Sequence, residues 1–177
     1  MIRKTTAAVI AGASVIAATL VGAAAPRAGT GCTITGDDTS ETIVGTPRSD
    51  YICARGGDDV IRGLGGNDRI EGGTGADRIY GGGGDDRISA GGGSDRAEGG
   101  EGNDILKGGP GRDTLLGQSA GDRLYGLGGR DRLSGGDARD LFYARDDARD
   151  RVEGGAGSDC ARIDPGLDIT RSIHEYL

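Results

Sequence analysis

Aspartate recurs at every ninth residue along most of this chain. The series runs unbroken for eleven members and, after a one-residue insertion, resumes for three more. Carboxylates at a fixed interval favour binding of a hard divalent cation, because such ions take several oxygen ligands. The members of the series are Asp50, Asp59, Asp68, Asp77, Asp86, Asp95, Asp104, Asp113, Asp122, Asp131, Asp140, Asp150, Asp159 and Asp168.

An apolar residue lies two positions after each aspartate in nearly every unit, and Thr170 is the exception. A period of nine does not fit the face of a long helix, but it fits short strands joined by tight turns. Alternation along each strand points the apolar residue inward and its neighbours outward. The row consists of Ile43, Ile52, Ile61, Ile70, Ile79, Ile88, Ala97, Leu106, Leu115, Leu124, Leu133, Phe142, Val152 and Ala161.

The composition is that of a chain with little material for a core. Glycine supplies 38 of the 177 residues, whereas Phe occurs once and Trp is absent. Taken alone, such a composition predicts disorder, because too little apolar burial opposes the chain entropy. A ligand must therefore supply folding free energy if the chain folds. The net charge of −7 favours cations over nucleic acid, and aromatic residues are too sparse to stack on bases.

The repeating units resemble the hemolysin-type calcium-binding repeats, also called RTX repeats, whose pattern is G-G-x-G-x-D-x-U-x. Units that follow it closely are GGTGADRIY, GGGGDDRIS, GGEGNDILK, GGPGRDTLL and GGAGSDCAR. The resemblance implies an all-β fold, a right-handed parallel β-roll with two nonapeptides per turn, so that residues 18 apart stack. It also implies several Ca²⁺ ions, held between stacked loops of one column by aspartate side chains and loop carbonyls.

The strongest sites are expected where consecutive loops of one column are intact, from Asp68 to Asp113. Gln118, Ala120 and Ala138 replace glycines beyond that point, and the insertion before Asp150 shifts the lattice, so weaker or missing sites are expected there. The candidate ligands are Asp59, Asp68, Asp77, Asp86, Asp95, Asp104, Asp113 and Asp131, with the loop backbone of Gly63, Gly65, Gly72, Gly73, Gly75, Gly81, Gly82, Gly84, Gly91, Gly93, Gly99, Gly100, Gly102, Gly108, Gly109 and Gly111.

Other metals fit this set of residues less well. Zinc prefers His and Cys ligands, and the chain has one His and three Cys without suitable spacing. Magnesium keeps its waters too firmly for a cage built mainly of protein. A calcium-free solenoid or a disordered tail is the alternative, and the aspartate register favours calcium.

The N-terminus has the pattern of a secretion signal, with Arg3 and Lys4 followed by an alanine-rich apolar run. Cleavage after Ala23 or Ala24 is expected, and an uncleaved membrane anchor is the alternative. The expected organisation is a signal peptide over residues 1–25, an N-terminal segment over 26–35, the β-roll over 36–162 and a C-terminal cap over 163–177. No membrane span is expected after cleavage, so the chain would be secreted or associated with the cell surface.

Several further features leave alternatives open. Cys32 and Cys53 lie three residues out of register, too far apart for a bridge in an ideal roll, although an irregular cap could close the gap. Cys160 is then expected to be an outward, unpaired thiol or an intermolecular link. Arginines after the aspartates either bind anionic glycans or cell-wall polymers, or balance Glu71, Glu98 and Glu153, and the second interpretation is favoured.

The expected function is that of a secreted calcium-binding protein whose β-roll folds on Ca²⁺, as a structural or cell-surface interaction module. An extracellular enzyme or accessory module acting on polysaccharide is the alternative. No catalytic residue is assigned, because His174, the single histidine, lies in the terminal tail.

Overall fold

Every regular element of the protein is a strand in the ranges that the structure, a computed structural model, describes: Val9–Ile10, Ala13–Ala17 and residues 31–176. The expected all-β fold is confirmed. The strands are β1 Val9–Ile10, β2 Ala13–Ala17, β3 Ile34–Thr35, β4 Glu41–Val44, β5 Tyr51–Gly56, β6 Val60–Gly65, β7 Arg69–Thr74, β8 Arg78–Gly83, β9 Arg87–Gly92, β10 Arg96–Glu101, β11 Ile105–Gly111, β12 Thr114–Ser119, β13 Arg123–Gly129, β14 Arg132–Gly136, β15 Leu141–Ala144, β16 Arg151–Gly155, β17 Cys160–Ile163, β18 Ile169–Arg171 and β19 Glu175–Tyr176.

Strands that follow one another along the chain alternate between two sheets. Sheet A has the order β1-β2-β4-β6-β8-β10-β12-β14-β16-β18, and sheet B has the order β19-β17-β15-β13-β11-β9-β7-β5-β3. All neighbouring strands are parallel except β1 and β2. The strands after Asp68 and Asp86 belong to sheet B, and those after Asp59 and Asp77 belong to sheet A, as predicted.

Neighbouring strands are paired in an 18-residue register. Ile70 pairs with Ile88 in sheet B, for example, and Ile61 pairs with Ile79 in sheet A. The interval grows to 19 where the extra residue is inserted, so that Leu133 pairs with Val152. Two nonapeptides therefore make one turn of a parallel β-solenoid, as the resemblance implies.

The core is one continuous apolar layer between the two sheets. The predicted inward row is buried along its whole length from Ile43 to Ala161, and no member is more than 2% exposed. Most nonapeptides contribute a single side chain to this layer, three add a small second one, Ala54, Ala90 or Ala144, and Phe142 is the only aromatic member. Full burial of one Ile or Leu contributes about 1.5 to 3 kcal/mol, so a layer this thin gives each turn little stability of its own.

The tight turns depend on residues with positive φ. In the loop that ends at Asp77, Gly73 and Gly75 have φ values of 115° and 126°, and a Cβ on Gly73 would collide with the carbonyl of Arg55. Leu64 and Gln118 occupy the position of Gly73 in their own loops and adopt φ values of 82° and 84°. Loops without glycine at this position thus keep the same backbone conformation, at some conformational cost.

The two ends of the solenoid differ. The C-terminal segment adds one strand to each sheet, β18 and β19, and Ile173 packs partly buried against the core. At the other end, β2, which belongs to the predicted leader, pairs with β4. Most of the leader lies outside the described residues. Cleavage of the leader stays a prediction. No helix in the described ranges has the length and apolarity needed to cross a bilayer.

The cysteines resolve one open question and correct one expectation. Cys32 and Cys53 form a disulfide with a Cα–Cα distance of 5.9 Å, because the chain bends before β3. Cys160 is unpaired, but the expectation of an outward thiol is wrong because it is only 2% exposed. Arg139 donates a hydrogen bond to its Sγ atom at 3.4 Å, and Glu175 on β19 lies 3.7 Å from the same atom.

The arginines that follow the aspartates lie in rows on the outer faces of both sheets, as predicted. Three of them pair with the glutamate two residues later on the same strand, and these are the glutamates that the sequence suggested. The pairs are Arg69–Glu71 at 2.7 Å, Arg96–Glu98 at 2.8 Å and Arg151–Glu153 at 3.7 Å. Charge balance thus accounts for part of the arginine rows.

We predict that Ile79→Ala destabilises the calcium-saturated fold by about 2 to 5 kcal/mol, because it leaves a cavity in a layer one side chain thick. Urea unfolding in excess calcium measures the change. Tyr80→Ala is the matched control, since Tyr80 lies on the outer face of the same strand and has Arg62 over its ring. It should cost less than about 1 kcal/mol. Equal losses for the two variants would contradict the single-layer core.

Candidate metal centre

The aspartates of the nine-residue series point into the solenoid, on the same side as the apolar row. They precede that row by two residues, and alternation along a strand puts both side chains on one face. Twelve of them are at most 3% exposed. They are Asp59, Asp68, Asp77, Asp86, Asp95, Asp104, Asp113, Asp122, Asp131, Asp140, Asp150 and Asp159. All eight predicted ligands are in this set.

The buried aspartates form two stacks, which we call the Asp68 column and the Asp77 column after one member of each. In the Asp68 column, the backbone N–H of Asp68 donates to Oδ1 of Asp86 at 2.8 Å, and Asp86 donates to Asp104 at 2.8 Å. The same bond joins Asp77 to Asp95 at 2.8 Å in the other column. Each carboxylate therefore interacts with the loop 18 residues earlier, or 19 across the insertion, and the predicted stacking within columns is confirmed.

The second carboxylate oxygen has no partner in any of these twelve residues. Each Oδ2 atom is buried and accepts no hydrogen bond. A buried, unpaired carboxylate is costly, because burial removes the water that would solvate its charge. Twelve of them in two stacks also repel one another along each column. A proton or a cation must offset this charge for the fold to be stable.

The Oδ2 atoms lie beside loop carbonyl oxygens, over the first residue of the loop, which is glycine in most loops and Ala54, Ala90 or Ala144 in three of them. A Cβ added to Gly81 would contact Oδ2 of Asp86 and lie 2.6 Å from the carbonyl oxygen of Gly99 in the next turn. A Cβ added to Gly117 would likewise contact Oδ2 of Asp122. In the loops that begin with glycine, carboxylate and carbonyl oxygens thus converge on a space that a side chain at the first position would fill.

These donors fit calcium. All are oxygens, and calcium accepts six to eight of them in flexible geometry. No group of three or more His, Cys, Asp or Glu side chains is arranged as a metal site in the described part of the chain. An ion in these columns would therefore combine the aspartate carboxylates with backbone carbonyls, and it would supply the positive charge that the Oδ2 atoms lack.

Loops at the ends of the columns satisfy their carboxylates without a cation. The N–H and hydroxyl groups of Thr46 donate to Oδ2 of Asp50 at 2.7 and 2.8 Å. The N–H of Asp164 likewise donates to Oδ2 of Asp168 at 2.8 Å. In these end loops the carboxylate accepts hydrogen bonds from its own loop. The unpaired Oδ2 atoms are therefore confined to the interior turns, from Asp59 to Asp159.

Four interior aspartates were missing from the predicted ligand set. They have the same unpaired Oδ2 atom as the predicted ligands, although glycines are replaced in the loops before three of them. The nine-residue register itself was the signal, and it outweighs single glycine replacements. The four are Asp122, Asp140, Asp150 and Asp159.

His174 ends the Asp68 column. The backbone N–H of Asp159 donates to its Nδ1 atom at 3.4 Å, in place of the aspartate oxygen found in every earlier turn. The same nitrogen lies 3.9 Å from Oδ2 of Asp159. The single histidine therefore contacts the last carboxylate of the stack.

Burial raises the pKa of most column aspartates well above the usual value for an aspartate. The pKa of Asp86 rises to about 6, that of Asp68 to about 7 and that of Asp104 to about 8. Desolvation is the main cause, and repulsion from neighbours in the column adds to it for Asp68 and Asp104. The hydrogen bond to Oδ1 acts in the opposite direction. The metal-free columns therefore retain protons near neutral pH.

A second set of side chains links the loops at their exposed edge. Asn67 accepts a hydrogen bond from the N–H of Asp85 at 3.1 Å, and Asp85 accepts one from the N–H of Asn103 at 2.8 Å. Asn and Asp serve equally at this position because either provides an acceptor oxygen. These bonds involve no buried charge.

We predict that the metal-free protein folds when the pH is lowered. The folded-state pKa values of about 6 to 8 lie above the unfolded value of 3.8. Protonation therefore favours the fold, and its contribution is complete below about pH 4 and lost as the pH rises through 6 to 8. Circular dichroism of the chelator-treated protein between pH 4 and 9 measures the change. Strand signal that increases with pH would contradict it.

We predict that Gly81→Ala weakens calcium binding by about tenfold or more at the affected loop, because the methyl group fills the space between the two oxygens. A calcium titration followed by circular dichroism measures the midpoint. Gly92→Ala is the matched control, because a Cβ there has no atom within 4 Å. Equal midpoints for the two variants would mean that this space is not part of the site.

The comparisons with known proteins agree with this geometry. The family described as RTX calcium-binding nonapeptide repeat (4 copies) matches residues 35–70, 62–97, 89–121, 98–133 and 116–148. A search of curated proteins found no match. The matched segments together cover residues 35–148, well over half of the chain, and they contain ten of the twelve buried aspartates, from Asp59 to Asp140. The chain belongs to the family of RTX calcium-binding repeat proteins.

Proposed function

We propose that the protein is a secreted module that folds when Ca²⁺ enters the two aspartate columns, and that its folded form serves as a structural or interaction element outside the cell. The observation that carries this proposal is the row of twelve buried Oδ2 atoms without a partner. A divalent ion between successive carboxylates replaces their repulsion with attraction, and its binding free energy becomes folding free energy.

The thin core makes the coupling between binding and folding strong. Each turn buries one large apolar side chain, or an alanine, from each sheet and in three cases one further alanine, and that gain is opposed by the ordering of 18 residues. The ion adds attraction and closes the loop at the same time. Calcium should consequently control whether the solenoid exists, and each bound turn should favour binding in the next.

Secretion is supported by the sequence of the leader and by the disulfide. Cys32–Cys53 closes the N-terminal end of the roll, and such bridges persist in oxidising compartments outside the cytosol. Extracellular calcium modules commonly bind in the range of about 0.1 to 1 mM. A module of that affinity would be unfolded in the cytosol and folded after export.

We predict that calcium converts the chelator-treated protein from a disordered to a strand-rich state. Circular dichroism across a titration up to millimolar calcium measures the transition, and magnesium at equal concentration is the control. The calcium curve should be cooperative, and magnesium should produce little change because it dehydrates reluctantly. A spectrum that does not change with calcium would refute the proposed function.

We predict that Asp86→Asn lowers the calcium affinity, because it removes one ligand charge from the Asp68 column. The calcium midpoint should rise by about threefold to tenfold. Asp85→Asn is the matched control, because asparagine already occupies the equivalent positions 67 and 103. Equal midpoints for the two variants would exclude the Asp86 carboxylate as a ligand.

A further inference from the structure

The acidic chain has a surface that is not acidic. Residues 31–176 contain 28 Asp and Glu against 18 Lys and Arg. Twelve of the acidic residues are the buried column aspartates, which leaves 16 acidic residues for all other positions. The fold thus separates the charges, because the aspartates face inward and the arginines one residue later face outward.

One part of the surface carries cations that form no ion pair in the described residues, with Glu71 and Glu175 on the two flanking strands and Asp85 close to Arg87. We call it the basic face, and it consists of the outward side chains of β9, β11, β13, β15 and β17 in sheet B. Its cations are exposed, and none lies within 4.0 Å of a carboxylate in the described residues. No outward residue of these five strands is acidic. The cations are Arg87, Lys107, Arg123 and Arg162.

The basic face is flat and regular. Parallel register places Arg87, Ile105 and Arg123 side by side in one row, and Lys107 and Tyr125 side by side in the next. Strands of a sheet lie about 4.8 Å apart, so Arg87 and Arg123 are separated by roughly 10 Å along the solenoid axis. A ladder of this kind has no cleft for a small molecule, but an extended chain can lie along it.

The tyrosine and serine hydroxyl groups on this face suit a hydroxyl-rich ligand. Tyr125 and Tyr143 stack on each other with ring centroids 4.4 Å apart and planes 3° apart, so they present their edges and hydroxyl groups outward. Ser89 continues the same row. Hydroxyl groups pair with sugar hydroxyls, and guanidinium groups pair with carboxylates through two parallel hydrogen bonds.

Calcium governs this surface in two ways. It builds the face, because the rows exist only when the strands are stacked. It also changes the field at the face, because six divalent ions would balance the twelve column carboxylates that lie behind the sheet. The loaded protein is therefore far more attractive to an anion than the metal-free chain.

We propose that the basic face docks a linear acidic polysaccharide, and that it does so only when calcium fills the columns. This inference rests on the proposed function, since it needs the calcium-loaded roll. The binding is electrostatic in origin, so it should weaken with added salt.

The test uses the full-length protein and immobilised hyaluronate, a linear polysaccharide with regularly spaced carboxylates. Binding is expected in calcium and not in chelator, with neutral dextran as the uncharged comparison. The variant R87E/R123E reverses two charges on the basic face, and R78E/R132E reverses two at the same repeat position on sheet A. The first should weaken binding by about tenfold or more, and the second by less than about threefold.

Each outcome has a defined meaning. Equal losses for the two variants, or unchanged binding of R87E/R123E, would overturn the assignment of the face. Unchanged binding of R87E/R123E is the result expected if calcium ions bridge the glycan to acidic loops, because added glutamates do not weaken such bridges. Stronger binding to double-stranded DNA than to hyaluronate would also overturn the choice of a polysaccharide.

Circular dichroism of the same samples separates the two levels of the proposal. Calcium-induced folding without hyaluronate binding would refute the docking surface and leave the calcium module intact. Absence of folding in calcium would refute the proposed function itself. Both charge-reversal variants should show the calcium transition of the unaltered protein.

Discussion

The buried carboxylate is the interaction on which the rest of the structure depends. Alternation along a strand puts the aspartate and the apolar residue two positions later on the same side, so one interior must hold both a core and a column of charge. One oxygen of each aspartate is satisfied by the backbone of the preceding turn, as in Asp86 and Asp68. The other oxygen has no partner within the protein and needs a cation or a proton, so the fold is stable only when one of these is bound.

Glycine and calcium have complementary parts in this arrangement. Gly81, the first residue of its loop, leaves the space in which Asp86 Oδ2 and the Gly99 carbonyl converge, and later glycines such as Gly73 supply the positive φ of the turn. These same glycines deprive the chain of apolar surface. The glycine-rich composition makes the interior metal sites possible. It also leaves an apolar core that is too small to stabilise the fold without metal binding.

Much of this architecture could be predicted from the sequence, because the nine-residue period of the sequence fixes which residues are paired between neighbouring strands. The assignment of Ile70 and Ile79 to opposite sheets follows from counting in nines, and so does the stacking of Asp77 on Asp95. The tolerance of the loop containing Gln118 could not be read from the pattern, because its φ of 84° depends on the neighbouring turns.

Features outside the repeat were less accessible to prediction. The Cys32–Cys53 bridge depends on a bend before β3 that no repeat rule describes. The burial of Cys160 depends on Arg139 from an earlier loop and Glu175 from the terminal strand. The difference between the two carboxylate oxygens is equally invisible in a sequence, since it arises from the direction in which each backbone N–H points.

The register of 18 has a consequence for how such a chain can change its length. Loss or gain of 18 residues removes or adds one turn and leaves every later residue in its own sheet and column. Loss of nine residues would exchange the two sheets for the whole remainder of the chain, and would bring the outward side chains of one surface onto the other. The structural unit of this protein is therefore the pair of nonapeptides, although the unit that repeats in its sequence is the single nonapeptide.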